Sequence, residues 1–178
     1  MTPKSKQVFP AHYDQLDRIR DFVGNYARSS GMVDRDVYAI QLAVDEACSN
    51  IIEHAYEGVL DGRIEISCES RKSKLHITIF DWGKTFDPSQ VENPDLSDGL
   101  SERKIGGLGI FLMRKMMDQV QYHSVPGGGN QLELVKQRRR SKSKSTKKGR
   151  RPGWRELLDL AVQLFESSSL VVQRDLIL

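Results

Sequence analysis

Glu46, Asn50 and His54 follow one another at intervals of four in the run Asp45-Glu46-Ala47-Cys48-Ser49-Asn50-Ile51-Ile52-Glu53-His54-Ala55-Tyr56. On a helix that spacing puts them on one face, with Val44, Ala47 and Ile51 on the other. A carboxylate and an amide on one stripe can supply a general base and an oxygen ligand for Mg²⁺, which takes one or two protein oxygens and fills its octahedron with phosphates and water. A second candidate is Asp81-Trp82-Gly83, where an apolar alternation ends. A carboxylate leaving a buried strand can accept a hydrogen bond from an adenine amino group, and a glycine two residues on lets the backbone approach the base. The third is Gly106-Gly107-Leu108-Gly109-Ile110 at a helix start, where unpaired N–H groups and the helix dipole receive phosphate oxygens. No Lys-Ser/Thr follows it, as a Walker loop requires, and the preceding segments do not form a dinucleotide-binding unit. The first two segments also have a bland alternative, a solvated helix face and an ordinary turn, whereas the third by itself points to anion binding.

The elements that must position these residues are legible from changes of hydrophobic period. Leu16, Ile19, Phe22, Val23 and Tyr26 follow helical spacing, and Gly31 suits the stop. Asp34 or Asp36 is expected to cap a long helix with the stripe Val37, Ile40, Val44, Ala47, Ile51 and Ala55, ending near Gly58. Then the period drops to two. Ile64, Ile66 and Cys68, then Leu75, Ile77 and Ile79, alternate with polar residues across the hairpin Arg71-Lys72-Ser73. Trp82 to Lys104 has neither period, and a connection this long, against an ordinary length of about 4–6 residues, points to function. The helix opened by Gly106 carries Ile110, Met113, Met117 and Val120 at core spacing, and strands are expected around 121–125 and 131–136. Helices segregated from hairpin-linked strands predict an α+β fold, a two-layer sandwich rather than a doubly wound parallel sheet.

The composition of the 178 residues, 38% hydrophobic and 29% charged, is globular. No apolar run approaches the ~20 residues of a membrane span, and the first residues lack a signal peptide's apolar stretch, so the chain is expected in the cytoplasm. Cys48 and Cys68 have no metal-ligand spacing and are expected to be reduced. The net charge of +3 conceals an asymmetry: residues 1–136 hold 16 basic and 20 acidic side chains, whereas 137–152 hold nine basic and none acidic. The expected organisation is therefore a folded domain over 8–136, a disordered basic linker over 137–152, and a short amphipathic helix with an apolar tail over 153–178. The apolar end suggests a longer parent signalling chain.

Together, in this order and spacing, the three segments resemble the Bergerat-fold ATP-binding domain of the GHKL class, marked by Glu-x-x-x-Asn on a helix, Asp-x-Gly after a strand, a lid, and a Gly-x-Gly helix start. Within that class, Asn50 with His54-Ala55-Tyr56, Phe86-Asp87 after Asp81-x-Gly83, and Gly106-Gly107-Leu108-Gly109-Ile110 with Met117-Asp118 are similar to the anti-sigma-factor serine kinases of bacterial stress and sporulation pathways. The resemblance covers about residues 8–136. It implies ATP and Mg²⁺ as cofactors, Glu46 as general base, Asn50 as Mg²⁺ ligand, Asp81 as the adenine-reading carboxylate and Gly83 as its close backbone neighbour. It also implies a phosphate cradle at Gly106, Gly107, Leu108 and Gly109, a lid from about Pro88 to Ile105, and a phosphate contact from Lys104. Two departures stand out. Thr85 takes the place of a second glycine, and Gly129-Asn130-Gln131 replaces a Gly-Thr element, removing a hydroxyl contact.

The implied function is a serine/threonine kinase that phosphorylates an anti-anti-sigma antagonist domain and regulates transcription by partner switching. By analogy a sigma factor would bind around Arg20 on the early helix, and the family suggests a homodimer. The alternatives are a nucleotide-gated binding module without turnover and a nucleic-acid binder driven by the basic tail. The presence of both Glu46 and Asn50 favours the kinase, and the absence of interleaved aromatics in the basic run favours a solvated linker. His12 is not expected to be a phosphoacceptor, because no helical hairpin fits ahead of Asp45. Met113, Met116 and Met117 are read as core fillers.

Overall fold

The computed structural model describes residues 3–85, 108–125 and 128–139. The expected lid, Lys104, Gly106, Gly107, most of the basic linker and the C-terminal segment lie outside the described residues. Among the described residues five antiparallel strands form one sheet in the order β1-β2-β3-β5-β4. They are β1 (Ser5–Pro10), β2 (Arg63–Arg71), β3 (Lys74–Asp81), β4 (Gln119–Ser124) and β5 (Asn130–Gln137). Three α-helices among the described residues, α1 (Leu16–Ser29), α2 (Asp34–Asn50) and α3 (Leu108–Met116), make the second layer, as the α+β reading requires.

The alternation in β2 and β3 decides which face is buried. Ile64, Ile66 and Cys68 pair in register with Asp81, Ile79 and Ile77. All six are buried, while their neighbours Glu65, Ser67, Thr78 and Phe80 are half-buried on the other face. From the helices Ile19, Val23, Ile40 and Val44 bury completely. Each such side chain contributes roughly 1.5–3 kcal/mol relative to exposure. Phe9 of β1 meets Phe22 of α1 edge-on at 5.8 Å, and the Ser70 N–H of β2 donates to the Tyr26 hydroxyl of α1 at 3.1 Å. Met113, Met116 and Met117 are core residues, and Cys48 and Cys68 are free and buried.

Several local expectations need correction. The strand β1 was not anticipated, because Ser5-Lys6-Gln7-Val8-Phe9-Pro10 has too short an apolar alternation to announce itself; it forms by pairing with β2, Phe9 opposite Ile64. Neither Asp34 nor Asp36 caps α2. Its cap position is Val33, without a side-chain bond, and both acids lie in the first turn, where they complement the helix dipole instead. The helix does not run on regularly toward Gly58: after Asn50 it widens into a π turn over Ile51–Ala55, in which the Tyr56 N–H reaches back five residues to the Ile51 carbonyl at 3.1 Å. Val120 is not on α3. That helix ends at Met116, and Val120 stands in β4 opposite Leu134 of β5. Finally, β5 reaches Gln137, and beyond it the Arg138 N–H donates to the Ser73 carbonyl at 2.7 Å while its guanidinium reaches the Ser30 carbonyl at 3.1 Å.

Candidate functional site

Glu46 and Asn50 lie one turn apart near the end of α2, both half-buried. The Asn50 amide nitrogen donates to Glu46 Oε1 at 3.5 Å, and the Asn50 amide oxygen has no partner among the described residues. Burial pushes the Glu46 carboxyl above the ordinary carboxylate range; the neighbouring Asp45 charge and, more weakly, Glu53 push the same way, against the Asn50 bond. A carboxylate made more basic is suited to accepting a proton. His54 does not extend this stripe. It falls inside the π turn, where the four-residue phase is lost, and it is exposed.

Gly109, in the first turn of α3, lies directly against Glu46. A Cβ there would overlap the Glu46 side chain, whose Cγ would lie 2.7 Å away, so any larger residue requires that side chain or α3 to shift. The backbone of Leu108 opens the same helix. The start of α3, with its outward N–H groups, is thereby brought to the acid on α2.

Asp81 is the last residue of β3 and only 2% exposed. Its Oδ1 accepts two bonds of 2.9 Å, from the Gly83 N–H and from the Asn130 amide nitrogen. Burial raises its pKa, and these two bonds oppose the rise. The turn after Asp81 is held from the C-terminal end of the π turn. The Tyr56 hydroxyl accepts from the Trp82 N–H at 2.9 Å and donates to the Arg63 carbonyl at 2.7 Å, and the Lys84 N–H donates to the Ala55 carbonyl at 2.9 Å. Gly83 faces that same carbonyl, which a Cβ would approach to 2.5 Å. Its role here is therefore close packing of the turn on the helix end.

Of the sequence-expected residues, Glu46, Asn50 and Gly109 lie together where α2 and α3 pack, while Asp81 and Gly83 lie together at the end of β3, against Ala55. Asn130, Tyr56 and the Ala55 carbonyl were not anticipated in their positions. The loss of a hydroxyl at the Gly129-Asn130 element did signal a difference. What it concealed is that the Asn130 amide takes up the contact to Asp81, which stands opposite it in the β3–β5 register.

Among the described residues no group of three or more His, Cys, Asp or Glu is arranged to hold a metal ion. The donor set still fits a divalent cation that arrives with a phosphate ligand: Asn50 turns its nitrogen to Glu46 and keeps its oxygen for a single protein contact, the limited protein share that Mg²⁺ takes. No helix among the described residues is long and apolar enough to cross a membrane.

Residues 9–136 match the histidine kinase-like ATPase domain family. The chain is similar to the serine-protein kinase RsbW of Bacillus velezensis, with 31% identity over 126 residues that cover 66% of this chain and 76% of that protein. It is 32% identical over 128 residues to the serine-protein kinase RsbW of Bacillus pumilus, with the same 66% and 76% covered. In fold it is similar to a crystal structure of RsbU and RsbW domains from Mycobacterium tuberculosis, at a TM-score of 0.56 and 16% identity, covering 76% of this chain and 32% of that one.

Proposed function

Because the chain belongs to the histidine kinase-like ATPase domain family and, within it, to the serine-protein kinases, we propose that Glu46, Asn50, Asp81 and the start of α3 form an Mg-ATP site for transfer of phosphate to a serine or threonine hydroxyl. The observation that carries this reading is the contact of Gly109 with Glu46, which puts a phosphate-receiving helix start beside a half-buried acid of raised basicity.

The steps follow from the chain's own groups. Oδ2 of Asp81 accepts from the adenine amino group, and Gly83 keeps the adjacent backbone close. The N–H groups at the start of α3 meet the phosphates, joined by Gly106, Gly107 and Lys104 on the family's pattern. Glu46 takes the proton of the attacking hydroxyl as its oxygen bonds the γ-phosphorus and the bond to the β–γ bridging oxygen breaks, leaving ADP. The Asn50 oxygen would hold Mg²⁺, which supplies charge neutralisation on the phosphates when bound. Phosphoryl transfer needs mainly alignment and charge stabilisation, which this set provides.

The acceptor we infer is an anti-anti-sigma antagonist domain in the cytoplasm, with a sigma factor bound at the surface around Arg20 of α1 and the kinase acting as a homodimer. The test is incubation of the chain with labelled ATP, Mg²⁺ and the antagonist domain encoded nearest to it. Acid-stable phosphoserine or phosphothreonine on the antagonist is the expected product. No transfer, or an acid-labile phosphohistidine, would overturn the reading.

A further inference from the structure

Asn130 is 8% exposed and stands at the first position of β5, directly across from Asp81. Its amide nitrogen donates twice, to Asp81 Oδ1 at 2.9 Å and to the Lys84 carbonyl at 2.9 Å. A hydroxyl has one hydrogen and could not serve both acceptors. The residue before it, Gly129, has φ +103° and lies so near the Asp81 carbonyl that a side chain is excluded, so the strand start is built against the aspartate.

The second donor on Oδ1 is the Gly83 N–H, and among the described residues no donor reaches Oδ2. The two oxygens of one carboxylate are thereby made unequal. Oδ1 is engaged, and Oδ2 remains to accept from a ligand. A proton added to Asp81 has only Oδ2 to occupy, where it would meet an amino hydrogen head-on. We propose that Asn130 is a positioning residue for purine selection: by bridging Asp81 and the Lys84 carbonyl it fixes Oδ2 as an acceptor, which suits the amino group of adenine and repels the carbonyl oxygen that guanine presents at the same position. This inference rests on the adenine-reading role of Asp81 proposed above.

Among the described residues few other charges intrude on Asp81. The titratable group facing it from α2 is the Cys48 thiol, which burial holds protonated far above its ordinary range. From β2 it faces Ile64, from β5 Asn130, and from the turn the Lys84 backbone rather than its ammonium, which pairs with Glu57 at 3.2 Å. Ionisation of Asp81 is therefore governed by burial and by its two donors. Removing one donor makes the ionised form less favourable, so nucleotide binding is lost at a higher pH as the solution is acidified.

The experiment measures ATP and GTP affinities of the full chain by calorimetry from about pH 4 to pH 8, upward from the ordinary carboxylate range. For Asn130→Ala the expected result is ATP binding weakened about tenfold, an ATP-over-GTP preference narrowed by a similar factor, and an acid limb moved up by about one pH unit. Asn130→Thr restores a donor to Asp81 but not to Lys84, so it should recover the limb and the preference while ATP binding stays a few-fold weaker, at roughly one neutral hydrogen bond. It also replaces the alanine variant should that one not fold. Folded variants with an unchanged acid limb and an unchanged ATP-to-GTP ratio would overturn the inference alone, as would an unaltered chain that binds both nucleotides equally. An unaltered chain that binds neither would end the nucleotide-site reading and this inference with it.

Discussion

Around Asp81 the chain has placed contacts from three directions: the Asn130 amide from β5, the Gly83 N–H from its own turn, and the Ala55 carbonyl and Tyr56 hydroxyl that pin the turn to the helix end. Around Glu46 there is, among the described residues, one donor, the Asn50 amide at 3.5 Å, with Asp45 and Glu53 adding repulsion rather than support. The difference suits the two tasks proposed for these acids. A group that recognises a base is useful when it is already in place, because the cost of ordering it falls on folding. A group that accepts a proton is useful when its charge is poorly compensated beforehand, because the reaction then relieves it.

The contrast can be broken most sharply at Glu46. Glu46→Gln should retain ATP and lose on the order of 10²–10⁴-fold in transfer rate, the usual worth of a positioned base. Its folded pKa is raised, so the ionised carboxylate disfavours the fold above that pKa and the penalty fades as pH falls through it. The neutral amide removes the penalty, and the melting temperature at pH 7 should hold or rise. A clear drop in melting temperature would mean that Glu46 is a structural group after all.

Gly109→Ala attacks the same acid from the other helix. The added methyl displaces either the carboxylate or the start of α3, and overpacking of this kind costs about 1–3 kcal/mol. Transfer and stability should fall together, measured by single-turnover kinetics and thermal unfolding; wild-type values in both would separate the two helices.

On the recognition side, Asp81→Asn keeps an acceptor for the two donors on Oδ1 and replaces Oδ2 by an NH₂ group. ATP affinity should fall by roughly 1–3 kcal/mol with little change in melting temperature, and calorimetry showing wild-type affinity would remove Asp81 from the site. Tyr56→Phe should do the reverse. It strips the Trp82 N–H and the Arg63 carbonyl of their shared partner, so unfolding free energy should drop by about 1–2 kcal/mol in denaturant titration, with nucleotide affinity following only a few-fold. The smallest effect belongs to Trp82→Ala. The indole is half exposed, edge-on to Phe80 at 4.6 Å and beneath the Arg63 guanidinium at 5.4 Å, contacts worth under about 1 kcal/mol at an exposed site. A loss of ATP binding in that variant would extend the recognition region past the turn.

The sequence pattern foretold what periodicity and residue chemistry can express. The apolar alternation of Ile64, Ile66 and Cys68 against Leu75, Ile77 and Ile79 survives in the sheet because a one-residue slip would turn the whole set to the other face. Glu46 and Asn50 share a helix stripe as their spacing requires. What escaped prediction depends on tertiary partners. Val120 fits a helical stripe as well as a strand, and pairing with β5, begun by the Asp118 N–H donating to the Val135 carbonyl at 2.9 Å, places it in β4. In β1 the two apolar residues find their meaning only beside β2. Asn130 matters through the residue opposite it, 49 positions earlier in the chain.

The π turn is, in effect, a miscount in the chain. An α-helix advances its side chains by about 100° per residue, so one residue too many in a single turn swings everything beyond it by roughly that angle. The Ala55 carbonyl and the Tyr56 ring meet the Asp81 turn with this swing already made. Restoring regular i to i+4 bonds there with the length unchanged would rotate both groups away from it by roughly 100°, although nothing at Asp81 itself had changed. The extra residue taken up in this turn thus acts as the gear tooth that sets the phase between the Glu46–Asn50 stripe and the turn at Asp81.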